Sequence, residues 1–132
     1  MPGAVVTPPF RVLVTGSRSW ADMPTVREAL RQVRLEVAGG PIVVVHGACP
    51  RGADALADLL ATRAPAEFRM SVERHPADWD ALGKRAGFVR NQHMVDLGAD
   101  VCLAFIRSGS RGASHTARVA ERAGILVRRW TA

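Results

Sequence analysis

The run from Val43 to Asp54 (Val-Val-Val-His-Gly-Ala-Cys-Pro-Arg-Gly-Ala-Asp) limits what this chain can become more than any other stretch. It begins β-branched and apolar and is then punctuated by Gly47, Pro50 and Gly52; Ala53, Leu56, Ala57, Leu59 and Leu60 follow at helical spacing. A buried strand, a tight loop and a helix N-terminus in direct succession are the parts of a parallel α/β unit. Such a junction aims backbone N–H groups and the positive end of a helix dipole out of the carboxyl edge of a sheet, where phosphates and other anions bind.

The rest of the chain repeats this pattern. Phe10 to Thr15 reads as a strand closed by Gly16-Ser17-Arg18-Ser19-Trp20. Asp22 is placed to cap a helix with Pro24 in its first turn. Val26, Leu30, Val33 and Val37 carry that helix to Ala38, where Gly39-Gly40-Pro41 stops it. Ile42 to Val45 is a second strand, His46 to Gly52 a loop, and Ala53 to Arg63 a second helix. Phe68 to Glu73 reads as a weaker third strand, and His75 to Lys84 is irregular. Gly87 to Leu97 is predicted helical with Gly98 as its stop. Asp100 to Ile106 is the fourth strand, Arg107 to Gly112 a Gly/Ser loop, Ala113 to Ala123 a helix, and Ile125 to Val127, reaching toward Trp130, the last strand. Alternating short apolar strands and helices predict an α/β class, a doubly wound parallel sheet of about five strands. Right-handed crossovers then bring every strand-to-helix loop to one edge.

A chain of 132 residues predicts a single domain, here residues 10–132 after a disordered lead at 1–9. No stretch approaches the roughly 20 apolar residues of a membrane span, and the start lacks a signal-peptide layout, so no membrane partner and a cytoplasmic location are expected. Cys49 and Cys102 are too few for a disulfide framework and have no zinc-type spacing, so no metal and no separate cofactor are expected. The formal charge is +6, with Lys84 the only lysine. That charge reads either as a site for nucleic acid or another polyanion, or as surface charge written in arginine.

Three predicted edge loops are rich in Gly, Ser and Arg: Gly16-Ser17-Arg18, Gly47 to Gly52, and Ser108-Gly109-Ser110-Arg111-Gly112. Glycine lets backbone approach a ligand, serine adds a donor, and arginine pairs with phosphate through a planar fork. Gly47 to Gly52 has Walker spacing, but Ala53 and Asp54 stand where Lys and Ser/Thr belong; the first loop is not G-x-G-x-x-G. Asp54 either complements its helix dipole or accepts from a ribose hydroxyl or base. Arg90 and Asn91, on the helix from Gly87, are surface residues or anion contacts. His46 is a locally bonded structural residue or a catalytic one. Ser114, His115 and Thr116 cap the last helix or meet phosphate there. Trp20 and Trp79 stack on a base or pack over the sheet edge, and Asp78 and Asp80 are solvated.

Val-Thr-Gly-Ser-Arg-Ser-Trp (14–20), the stretch 46–54, Arg-Asn-Gln-His-Met (90–94) and Ser-Arg-Gly-Ala-Ser-His-Thr (110–116) together resemble the YspA-like branch of the SLOG superfamily. The resemblance runs from Phe10 to Val127. It implies a Rossmann-like fold and a nucleotide-related role. The superfamily includes LOG phosphoribohydrolases, which cleave the N-glycosidic bond of nucleoside monophosphates, proteins that bind single-stranded DNA, and sensor domains for nucleotides or NAD-derived signals. By position, Gly16, Ser17 and Arg18 look like first-loop phosphate contacts, and Gly47, Gly52 and Asp54 like the second-loop site. Arg90 and Asn91 resemble the LOG helix that supplies an arginine. Gly109, Ser110, Arg111, Gly112, Ser114, His115 and Thr116 resemble the P-G-G-x-G-T-x-x-E phosphate loop. The chain departs there: Ala113 replaces the Thr, and His115 or Thr116 stands in place of the Glu that LOG chemistry needs.

The expectation is therefore a binding module or sensor for a nucleotide or NAD-derived small molecule. The alternatives are a LOG-like hydrolase or transferase using Asp54, Arg90 and His46 as its catalytic residues, and a DNA-binding module. A homodimer is a further expectation from the relatives.

Overall fold

The structure is a computed structural model that describes residues 8–132. Residues 1–7 of the expected lead lie outside the described residues, and Pro8 and Pro9 are exposed. Five strands, β1 (Phe10–Gly16), β2 (Ile42–His46), β3 (Met70–Arg74), β4 (Val101–Ile106) and β5 (Leu126–Thr131), form one sheet in the order β3-β2-β1-β4-β5. Every pairing is parallel. The α-helices among the described residues are α1 (Met23–Glu36), α2 (Ala53–Arg63), α3 (Trp79–Leu82), α4 (Ala86–Asp96) and α5 (Arg111–Arg122). The chain is thus a Rossmann-like α/β fold.

The strands read as continuous apolar runs because both faces are covered. Val12, Val14, Ile42, Val44, Leu103 and Phe105 face one core shared with α1 and α2. Their neighbours Leu13, Val43, Val45 and Cys102 face a second core with residues of α4 and α5. Fully burying a side chain such as Leu13 or Phe105 contributes about 1.5–3 kcal/mol. Cys102 is part of this interior, and burial pushes its thiol up to about 12, which keeps it inert.

Helix α1 starts as its sequence requires. Asp22 accepts from the Thr25 amide at 3.1 Å and the Thr25 hydroxyl at 2.6 Å. Val26, Ala29, Leu30 and Val33 then form its buried stripe.

Most boundaries agree to within a residue or two, and three differences change the reading. Ala66–Phe68 forms a 3-10 turn and Arg69 takes a left-handed conformation (φ 53°), so β3 begins only at Met70. The irregular stretch 75–84 contains the short α3, followed by a 3-10 turn at Gly83–Arg85. Helix α5 starts at Arg111 rather than Ala113, because Ser110, not a loop glycine, is its N-cap. No helix among the described residues is long and apolar enough to cross a membrane.

Candidate functional site

The strand order places the site. From β1 the chain moves to β2 and β3 on one side; β4 and β5 then lie on the other side of β1. The crevice between the loops after β1 and β4 is the switch point at which open α/β sheets bind ligands.

These two loops are joined to each other and to α2. The Arg107 amide donates to Ser17 Oγ at 2.8 Å, and that hydroxyl donates to the Arg107 carbonyl at 3.2 Å. Gly16 faces Ala53 so closely that a Cβ would collide with it. Gly52, with φ 79°, lies against the Ser17 carbonyl and 2.6 Å, measured from an added Cβ, from Arg18 Cα. Only glycine fits either approach.

Above this joint is a cleft of about 670 Å³, between the loops after β1, β2 and β4 on one side and α3 and α4 on the other. Arg18, Arg51, Lys84, Arg90 and Arg107 reach its wall, and Asp54 is the carboxylate among them. Trp79 and Phe88, each nearly half exposed, add aromatic surface. An outer recess formed by Arg18, Cys49, Pro50, Arg51 and Trp79 continues the cleft.

Asp54 and Arg90 form the floor. Asp54 is 7% exposed, and its Oδ2 accepts from the amides of Gly47 (3.2 Å) and Cys49 (3.3 Å). Oδ1 receives no hydrogen bond from a described residue and is the oxygen left to the cleft. Burial raises the Asp54 pKa above the ordinary carboxylate range, against the lowering pull of the two amides and Arg90. The Arg90 guanidinium donates from Nη1 to the carbonyls of Gly47 and, at 3.3 Å, His75, and from Nε to Asn91 Oδ1 at 2.8 Å. Burial lowers its pKa, and Asp54 opposes that shift.

The junction after β2 is therefore not an open phosphate cradle. The amides of Gly47 and Cys49 are donated to Asp54 and that of Ala48 to His46, and the Ala53 amide at the start of α2 bonds the Ser17 carbonyl at 3.3 Å. The start of α5 is different: Ser110 makes no side-chain capping bond, and Ser110, Gly112 and Ala113 line the cleft. The first amides of a helix lack intrahelical partners, so this end offers the donors and dipole that an anion uses.

Of the residues singled out in sequence, Gly16, Ser17, Arg18, Gly47, Asp54, Arg90, Asn91, Ser110 and Gly112 meet in the cleft wall. Trp79 joins them there, and the remaining candidates lie outside it. His46 is 2% exposed; its Nε2 is 2.7 Å from Asp58, and its Nδ1 accepts the Ala48 amide at 3.0 Å. That fixes the proton on Nε2 and turns the ring toward Asp58, which also holds Arg74. Gly52 supports the joint from below. Thr116 is fully buried and donates to the Gly112 carbonyl at 3.2 Å. His115 stands edge-on to Phe88 at 4.7 Å. Gly109, Arg111 and Ser114 flank the α5 start without entering the wall. Trp20 packs in the core against Phe105, which stacks on Trp130.

Arg51, Lys84, Arg107 and Phe88 were not singled out in sequence and do line the cleft. Arg107 had one usable signal, as the residue that opens the Gly/Ser loop after a predicted strand. Lys84 and Phe88 had none: Lys84 lies in the 3-10 turn before α4, and Phe88 is one of several apolar residues of α4 whose spacing does not single out the cleft side.

A deep cationic cleft with one buried carboxyl can hold a phosphate-bearing ligand. The carboxyl can accept a hydroxyl or, when protonated, donate a proton. Neither His115 nor Thr116, which replace the LOG glutamate, points its side chain into this space. Among the described residues no group of acidic, histidine or cysteine side chains has the arrangement of a metal site.

Comparison with known proteins agrees with the geometry. The model of the YspA, cpYpsA-related SLOG family matches residues 10–81, more than half of the chain. The Gene 61 protein of Mycobacterium phage D29 is 49% identical over 118 residues, covering 89% of this chain and 93% of the phage protein. No solved structure matches. The chain belongs to the YspA, cpYpsA-related SLOG family.

Proposed function

We propose that the protein binds a nucleotide or nucleotide-derived phosphate ligand in this cleft, as a sensor or binding module. One observation supports this above the others: five cationic side chains and the uncapped start of α5 surround a space at the sheet's switch point. The phosphate sits at Ser110, Gly112 and Ala113, within reach of Arg18 and Arg107. The sugar and base extend toward Asp54 and Trp79, where Oδ1 accepts a hydroxyl or amine and the indole offers a stacking face. Family membership supports a nucleotide-related ligand.

Asp54 favours a second reading, hydrolysis or transfer at an N-glycosidic bond. A buried carboxyl with a raised pKa is suited to protonating a leaving base, and Arg90 beside it holds the negative charge that remains. In this reading Asp54 does the work of the missing glutamate.

Native mass spectrometry with nucleoside monophosphates, NAD and cyclic ADP-ribose separates the two. A bound mass with no released base supports the binding module. Released base, abolished in Asp54→Asn, supports the hydrolase. Absence of both bound mass and released base refutes both. Replacing Arg18 or Arg107 by Ala should weaken binding by about 1.5–3 kcal/mol, the range of a hydrogen bond to a charged group.

A further inference from the structure

Helix α5 carries a second cationic feature that the cleft does not use. Arg111, His115, Arg118 and Arg122 recur at i, i+4, i+7 and i+11, which places one on each turn of a single face. Ala113, Thr116, Ala117, Val119 and Ala120 form the opposite, buried face. Arg111, Arg118 and Arg122 are all exposed, and none makes a side-chain hydrogen bond or ion pair with a described residue. Helix α1 shows the contrast. Its Arg27, Arg31 and Arg34 have the same spacing but are occupied by Met23 Sδ (3.7 Å), Glu28 (3.2 Å) and the Phe68 and Val37 carbonyls (2.7 and 2.9 Å). Within α5 the one carboxylate, Glu121, is engaged by Arg129 from β5.

The arginines act on one another's surroundings. His115 is held below its usual pKa, first by burial and then by Arg118 and Arg122. Its ring meets Phe88 of α4 edge-on at 81°, and Phe88 is 45% exposed beside the stripe. The stripe begins at Arg111, between Ser110 and Gly112 of the cleft wall.

We propose that the α5 stripe binds the phosphate backbone of a single-stranded nucleic acid, with Phe88 offering its ring to an unpaired base. Arg111, Arg118 and Arg122, unneutralised and solvent-facing along one face with a turn of about 5.4 Å, complement a polyanion, while the uncharged His115 between them holds Phe88 in place. The aromatic edge beside it complements bases that are free to stack. The apolar side of α5 is spent in the core, which leaves it no surface to bury in a lipid bilayer. The choice of a polynucleotide among polyanions rests on the nucleotide reading of the adjoining cleft.

The test is fluorescence anisotropy of a labelled single-stranded 20-nucleotide DNA between 50 and 200 mM salt, titrated with the full chain and with Arg118→Gln/Arg122→Gln. Each lost contact to a single strand removes about 0.7 from the slope of log affinity against log salt. The double variant should therefore bind at least tenfold more weakly at 50 mM and show a slope shallower by about 1.4. Arg118→Lys/Arg122→Lys keeps the charge and should bind almost as the parent does, which separates charge from fold. Phe88→Ala should weaken the oligonucleotide but not inorganic polyphosphate. Equal binding by the Gln variant, no binding by the parent at 50 mM, or binding to phosphatidylglycerol vesicles in place of DNA would overturn the proposal. Retention of a mononucleotide, read by native mass spectrometry on the same Gln variant, should be unchanged. Oligonucleotide binding without that retention would sustain the stripe and remove the nucleotide reading of the cleft.

Discussion

Ser17 and Arg107, ninety positions apart, are bonded to each other twice through one hydroxyl. Ser17 Oγ accepts the Arg107 amide at 2.8 Å and donates to the Arg107 carbonyl at 3.2 Å. With Ser17 only 3% exposed, its hydroxyl serves as a clip across the switch point rather than as a free ligand contact. The clip holds the β1 loop against the β4 loop, and Arg107 Nη1 adds a bond to the Ser19 carbonyl at 3.2 Å.

Ser17→Ala removes the clip and leaves a partly buried amide without its partner. Stability should fall by about 1–3 kcal/mol, the cost of one unsatisfied buried group. Urea denaturation measures it. Ligand affinity should fall as well, because the two loops no longer set the spacing between Arg18 and Arg107. Unchanged affinity with lowered stability would show that the clip holds the fold alone.

Gly47→Ala tests Arg90 without touching it. A Cβ at Gly47 would lie 2.5 Å from Arg90 Nη1 and 2.7 Å from its Cζ, and its three nearest atoms all belong to the Arg90 side chain. The far end of a flexible side chain can move away, so the fold should tolerate the change to within about 1 kcal/mol. The displaced guanidinium loses its bond to the Gly47 carbonyl and its place beside Asp54. Ligand affinity should drop about tenfold, or about 1.4 kcal/mol. Calorimetric titration beside a thermal melt separates the two effects.

Glu73 gives the fold an acid limit. It pairs with Arg11 (2.8 Å) and His75 (2.8 Å), and these bonds hold its carboxyl at about 2. A carboxyl whose folded pKa is depressed adds stability above its unfolded value, and loses it as pH falls. The contribution should fade between about 4.5 and about 2. It is modest, because both partners are partly exposed to solvent. Glu73→Gln should flatten this part of the stability–pH curve, measured by denaturation at several acidic pH values. The His75 carbonyl is also a seat for Arg90, so ligand binding should weaken over the same window.

The alternation of strands and helices was legible because each rule was local. Continuous Val/Ile runs mark strands buried on both faces, Asp22 marks a cap, and Gly98 marks a stop. Strand order was not legible, because β1 lies between β2 and β4 only once both cores have packed. That order puts Arg107 in the cleft wall and makes Ser17 a clip. Trp20 was read in sequence as stacking on a base or packing over the sheet edge; it packs, 5% exposed, since Phe105 arrives from β4 to meet it and Trp130 of β5 stacks on Phe105. His46 faces Asp58 for a similar reason: its partner comes from one turn of α2, which no spacing at the strand end announces. The amides after β2 were expected to be free, but Asp54, in the first turn of the helix, folds back and takes those of Gly47 and Cys49.

Asp54 places a cost on the fold that its removal should reveal. Its folded pKa lies above its unfolded value, chiefly through burial. Between those two values the folded state holds more protons than the unfolded state. Stability therefore declines as pH rises through that window and stays lower above it. Asp54→Asn removes the ionisation and keeps a side-chain oxygen to accept from the Gly47 and Cys49 amides. The variant should melt at a higher temperature than the parent near pH 7, and the difference should shrink toward pH 4. If Asp54 also accepts from the ligand or donates a proton to it, the same variant should bind weakly or release no base. A more stable and less active Asp54→Asn would place the carboxyl in the cleft for function. A less stable variant at pH 7 would show instead that the charged carboxylate is what holds the β2 loop, and would refute the burial account.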